Sequence, residues 1–122
     1  MDQYVPDVSE EDIARIVARD FVPDVHAAIH EMIREVEVRE KTRVVLASLK
    51  NSKGNVERLK GDLANASGYY REIISEAEYP NYTKKWFHID KLSQQEQERI
   101  IEKDKAQYLQ WLRGPGAKHE QR

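Results

Sequence analysis

Apolar residues recur along this chain at steps of three and four, not two, in blocks separated by charged or turn-forming residues. The clearest block runs from Asn55 to Pro80, where Leu59, Leu63, Ala66, Tyr70, Ile73 and Ala77 form one stripe with the spacing of a buried helical face. Asn55 is a fitting cap and Pro80 a stop, so the spacing predicts one helix across the block. A lone amphipathic helix is unstable in water, so the stripe requires partner helices from the rest of the chain.

Those partners are legible on both sides. Ser9 with Asp12 has the form of a capping box, and Ile13, Ile16, Val17 and Phe21 follow on one face, predicting a helix that ends before Pro23. Pro23 opens the next, with Val25, Ala28, Ile29, Met32, Ile33 and Val36 as its stripe. The charged run from Glu37 to Lys41 predicts a break there, with one continuous helix over residues 24–51 as the alternative. Val44 to Leu49 is apolar on more than one face, which marks a central helix packed on several sides. The turn Asn51-Ser52-Lys53-Gly54 then joins it to the Asn55 helix as an antiparallel hairpin. Ser93 and Glu96 form a second capping box, opening a helix with Ile100, Ile101, Tyr108, Trp111 and Leu112 inward and an end at Gly114-Pro115-Gly116.

The expected fold is therefore all-α: a single compact bundle of about five helices over residues 1–113, built on the antiparallel helical hairpin of residues 42–77. Residues 114–122 read as a flexible, solvated tail. Leu46, Leu49, Leu63, Tyr70, Ile73, Ile101 and Trp111 are the expected core.

Composition narrows the function classes more than it selects among them. Charged residues make up 34% of the 122 residues with a net charge of only -2, a solvated surface and not a polyanion scavenger. Acids dominate before Pro23, whereas Arg39, Lys41, Arg43, Lys50, Lys53, Arg58 and Lys60 give a basic middle. The absence of cysteine excludes disulfides, thiolate zinc sites and cysteine nucleophiles. The first residues lack the basic and apolar regions of a secretory signal, and no apolar run is long enough to span a bilayer, so a cytoplasmic location and no membrane partner are expected.

Few residues suggest chemistry. His26 and His30 lie one helical turn apart, a spacing that allows two imidazoles to share a metal ion. Arg34 one turn further on opposes a cation, and a third ligand would have to come from His88 or Asp90, so neither metal nor cofactor is expected. The stretch from Tyr79 to His88 concentrates Tyr79, Tyr82, Trp86 and Phe87 beside Lys84 and Lys85. Such a mixture can stack bases while lysines meet phosphates. Its structural alternative is a connection across the open end of the bundle with Trp86 and Phe87 as plugs, because small domains seldom leave such side chains bare. Asp104 falls inside the apolar face of the last helix, where a carboxylate needs a partner: an arginine, a tyrosine hydroxyl or a tryptophan indole is expected, with Arg43 or another basic side chain of the middle helices first among them. Gly61, Asn65, Gly68 and Ser75 form a small-residue face that is either merely solvated or closely packed. No phosphate loop, serine elbow or metalloprotease signature is present.

The order Arg43-Val44, Leu46-Ala47, Leu49-Lys50, Gly54-Asn55, Tyr70-Arg71-Glu72, Ala77-Glu78-Tyr79-Pro80, Ile101, Asp104, Gln107-Tyr108 and Trp111-Leu112 resembles a group of small uncharacterised bacterial helical proteins. It covers most of the chain, and this sequence is shorter between its second and third helices. The resemblance implies a helical fold and no assigned activity. The residues then point to a non-catalytic protein-interaction module, in which Tyr79, Tyr82, Lys84, Lys85 and Trp86 meet an unknown protein or a second copy in a homodimer. A nucleic-acid binder using the basic middle and the aromatic loop is the first alternative, although nucleic acid is not the expected partner. A small enzyme or metal protein using His26, His30 and Asp104 is the second.

Overall fold

The computed structural model describes residues 5–115. Among them every regular element is helical: α1 (Glu10–Asp20), α2 (His26–Glu35), α3 (Lys41–Ser52), α4 (Val56–Ala64), α5 (Ala66–Glu78), α6 (Pro80–Lys84) and α7 (Gln94–Arg113). Short 3-10 segments at Pro23–Val25 and Trp86–Lys91 complete them. The expected tail beyond Pro115 lies outside the described residues.

Helix ends follow local chemistry. The Ser9 amide donates to Asp12 at 3.0 Å, the Arg58 amide donates to the Asn55 side chain at 2.9 Å, and Ser93 and Glu96 cap each other reciprocally at 3.0 and 3.1 Å. The α3–α4 turn needs two left-handed residues, Lys53 (φ 52°) and Gly54 (φ 80°). A Cβ on Gly54 would also stand 3.2 Å from the Asp20 carbonyl, so glycine lets α1 approach this turn.

The chain breaks between residues 35 and 41, as the charged run implies, and α2 and α3 are separate helices. Within the break Val36 and Val38 pack inward while Glu37 and Arg39 face water, a period of two where the flanking helices have a period near four.

The expectation of one helix from Asn55 to Pro80 is corrected. Asn65 ends α4 by bonding the Gly61 carbonyl through both its amide and its side chain, and Tyr69 has non-helical angles (φ -125°, ψ 23°) just inside α5. Packing explains the break. Leu59 and Leu63 join a core with Ile13, Ile16 and Val17 of α1, Ile29 and Ile33 of α2, and Tyr108 and Leu112 of α7. Ala66, Ile73, Ile74 and Ala77 join a second core with Val44 and Ala47 of α3. The break re-aims the stripe so that its two halves serve different cores.

Helix α3 carries both cores. Every residue from Val44 to Leu49 is buried, with Val45, Leu46 and Leu49 on one side and Val44 and Ala47 on the other. It runs antiparallel to α5, since Arg43 near its start bonds Glu78 at the end of α5 and Asn51 near its end bonds the Ile73 carbonyl. Of the expected core, Leu46, Leu49, Leu63 and Ile73 are buried, whereas Tyr70, Ile101 and Trp111 are half-buried. Trp111 packs beneath Arg19, whose guanidinium lies 5.3 Å from the indole centroid and donates to the Trp111 and Gly114 carbonyls, tying the end of α7 to α1. The acids of α1 find cations close by: Asp12 pairs with Arg15 at 3.0 Å and Asp20 with Arg19 at 2.7 Å.

Candidate interaction surface

Asp104 is 1% exposed, on the same face of α7 as Tyr108 and Leu112. Its hydrogen-bond partners correct the expected Arg43 pair. One carboxylate oxygen accepts the Asn81 amide at 3.0 Å and the Asn81 side chain at 2.8 Å, and the other accepts the Tyr82 amide at 2.9 Å. These are amides of the first turn of α6, which Pro80 opens, so a carboxylate on a distant helix caps α6. Lys50 supplies positive charge nearby. Burial pushes its ammonium down and Lys53 adds to this, while Glu76 and Asp104 pull the other way. The Gln107 side chain donates to the Ala77 carbonyl at 3.0 Å and completes the join between α5 and α7.

The anchored helix carries the aromatic segment outward. Trp86 is 58% and Phe87 86% exposed, which overturns the expectation that they plug the bundle. Tyr82 is half-buried and lies one turn before Trp86, the ring centroids 6.0 Å apart at 54°. Lys84, Lys85, His88 and Lys91 are exposed around them. The result is an apolar projection with a basic rim.

Tyr79, expected on the same surface, is half-buried and belongs to a different cluster. Arg43 donates through Nε and Nη2 to the two oxygens of Glu78 at 2.8 and 2.7 Å and through Nη2 to the Tyr79 hydroxyl at 2.8 Å. Burial pushes the Glu78 carboxyl up against the pull of Arg43 and Tyr79, and the pair with Glu78 drives the Arg43 guanidinium up. Burial also raises the Tyr79 phenol, and the Glu78 charge adds to it. Arg43 and Tyr79 of this triad line a cleft of about 380 Å3 together with Arg39, Glu40, Tyr70, Arg71, Ile74 and Ser75. Reading the sequence misses this cleft. The one available signal was the spacing of Arg71, Ser75 and Tyr79 along α5 to its cap, four residues apart on one face.

The remaining candidates are placed as follows. The His26 Nε2 sits 2.6 Å from the Phe21 carbonyl, just past the end of α1, so that ring nitrogen is engaged in joining α1 to α2. His30 is half-buried, and His88 and Asp90 are exposed on the 3-10 turn after α6. Among the described residues no three histidine, aspartate or glutamate side chains are grouped to hold a metal ion. Gly61 and Gly68 are exposed, and a Cβ at either would meet nothing within 4 Å, so this face is solvated and not closely packed. No helix among the described residues is long and apolar enough to cross a membrane. Comparison with protein-family models, curated proteins and solved structures finds no match to this chain.

Proposed function

We propose that this protein is a non-catalytic interaction module that docks a protein partner on the projection of Tyr82, Trp86 and Phe87, with Lys84 and Lys85 at its rim. The observation that carries this reading is the pairing of exposure with anchorage. Large exposed aromatics are what a docking surface needs, and a fully buried carboxylate holds α6, the helix that leads directly into the 3-10 segment bearing them. A pre-positioned surface loses less conformational freedom on binding than a floppy loop does.

The test compares wild-type protein with Trp86→Ala/Phe87→Ala in capture from native-cell extract, with the helical spectrum and melting temperature of both recorded. A partner retained by the wild type and lost by the equally stable variant supports the reading. Identical sets of retained proteins overturn it. Sedimentation at several concentrations examines the homodimer form of the proposal: self-association that the double variant abolishes identifies the partner as a second copy. The exposed lysines beside the rings favour nucleic acid as a second reading, for which binding to a single-stranded oligonucleotide would weaken steeply with salt and fall on Lys84→Gln/Lys85→Gln.

A further inference from the structure

The cleft between the start of α3 and the outer face of α5 lies apart from the aromatic projection and has its own charge pattern. Its lining residues Arg43 and Tyr79 bond each other, Arg43 also grips Glu78, and Glu40 joins Arg43 at 3.2 Å. Arg39 and Arg71 line the same cleft, are exposed, and form no ion pair among the described residues. Three guanidiniums and one carboxylate, Glu40, therefore line the cleft, and Glu78 offsets one more charge through its pair with Arg43, which leaves an excess of positive charge in a concave site. The Arg71 guanidinium lies 5.5 Å from the Tyr70 ring centroid, a contact with the ring face that leaves its N–H edge available. Ser75 adds a hydroxyl, and Tyr70 and Ile74 supply apolar wall.

We infer that this cleft binds a small phosphate monoester, with Arg39 and Arg71 on the phosphate and Tyr70 and Ile74 against its ester group. Two guanidinium forks and a hydroxyl offer more donors than the two oxygens of a carboxylate use, and they suit the three terminal oxygens of a phosphate. The role of Arg43 is positioning. Its bidentate grip on Glu78 holds the start of α3 against the end of α5 and so sets the width of the cleft. A volume of about 380 Å3 has room for a phosphate with a ring-sized substituent.

The test is titration of the full chain with phenyl phosphate at low salt, followed through backbone amide resonances, with benzoate as the carboxylate probe. Saturable shifts confined to the amides of residues 39–43 and 70–79 are expected, with benzoate binding more weakly. Arg39→Gln/Arg71→Gln should weaken phenyl phosphate about tenfold while the melting temperature stays unchanged, because both side chains are exposed. Should the double variant lose its fold, each single substitution should still weaken binding by about threefold. Absence of saturation, shifts centred on Lys84 and Lys85, undiminished binding by the variants, or benzoate binding as tight as phenyl phosphate would overturn the inference. Trp86→Ala/Phe87→Ala should leave phenyl phosphate binding unchanged, so this site and the aromatic surface stand or fall separately.

Discussion

Asp104 on α7 accepts the backbone amide of Tyr82 on α6, Oδ2 to nitrogen 2.9 Å, and so supplies from outside the helix the acceptor that a cap residue normally supplies from within it. Asn81 adds two more bonds to the same carboxylate. Asp104→Ala should therefore lower stability by about 3 kcal/mol, because it leaves the amides of the half-buried Asn81 and Tyr82 without their acceptor. Glu102→Ala on the exposed face of α7 should change it by no more than about 0.5 kcal/mol. Urea unfolding compares the two, and equal small effects would contradict the assigned role.

Arg43 and Glu78 form a buried ion pair linking α3 to α5. Arg43→Ala should cost about 3 to 5 kcal/mol, since it strands a carboxylate that is 3% exposed. Arg43→Met with Glu78→Leu removes both charges and should return stability to within about 1 kcal/mol of wild type. Chemical denaturation of the two variants checks this. A double variant as unstable as the single one would show that the pair does more than neutralise itself.

Leu59 is fully buried between α4 and the first core. Leu59→Ala should destabilise by about 2 to 5 kcal/mol, whereas Tyr69→Ala, at a residue 59% exposed, should fall within about 0.5 kcal/mol. Melting curves with a single transition are the measurement.

Gly61 lies within α4 with open space where a Cβ would stand. Gly61→Ala should stabilise the protein by about 0.5 to 1 kcal/mol, the gain from restricting the unfolded chain without a clash. A loss of stability on denaturation would mean that something packs on that face.

Asp12 sets part of the acid sensitivity. Burial raises its carboxyl, but the Arg15 side chain, the Ser9 amide and the charges of Arg15 and Arg113 outweigh burial and hold it below its ordinary value of 3.8. A carboxyl depressed in the folded state adds stability that is complete above its unfolded value and is lost as pH falls through the folded one. Asp12→Asn should thus be less stable than wild type at neutral pH, and the gap should close as pH falls below about 4. Urea midpoints across that range would show it, and a gap independent of pH would contradict it.

The sequence by itself determined the helices that local chemistry can write. Apolar spacing marks the inward face of α1, α2 and α7, and Ser9, Asn55 and Ser93 mark helix starts. The charged run separates α2 from α3, and Val44–Leu49 reads as a helix packed on more than one side. These are properties of residues within one or two turns of one another. Tertiary structure alone decided the rest. The stripe of residues 55–80 breaks at Asn65 because its halves face separate cores, which no periodicity within the stripe can report. Asp104 was legible as a buried carboxylate, but its partners stand more than twenty residues away and two of the three are backbone amides, which carry no residue-type signal. The sequence allowed Trp86 and Phe87 to be either plugs or an exposed surface, and only the placement of α6 against α7 and of the 3-10 segment that follows it leaves them exposed. Arg43 was read as the partner of Asp104, and only the antiparallel register of α3 and α5 gives it Glu78 instead and opens the cleft beside it. Local spacing determines which side of a helix is buried, and only the arrangement of helices around one another determines what it is buried against.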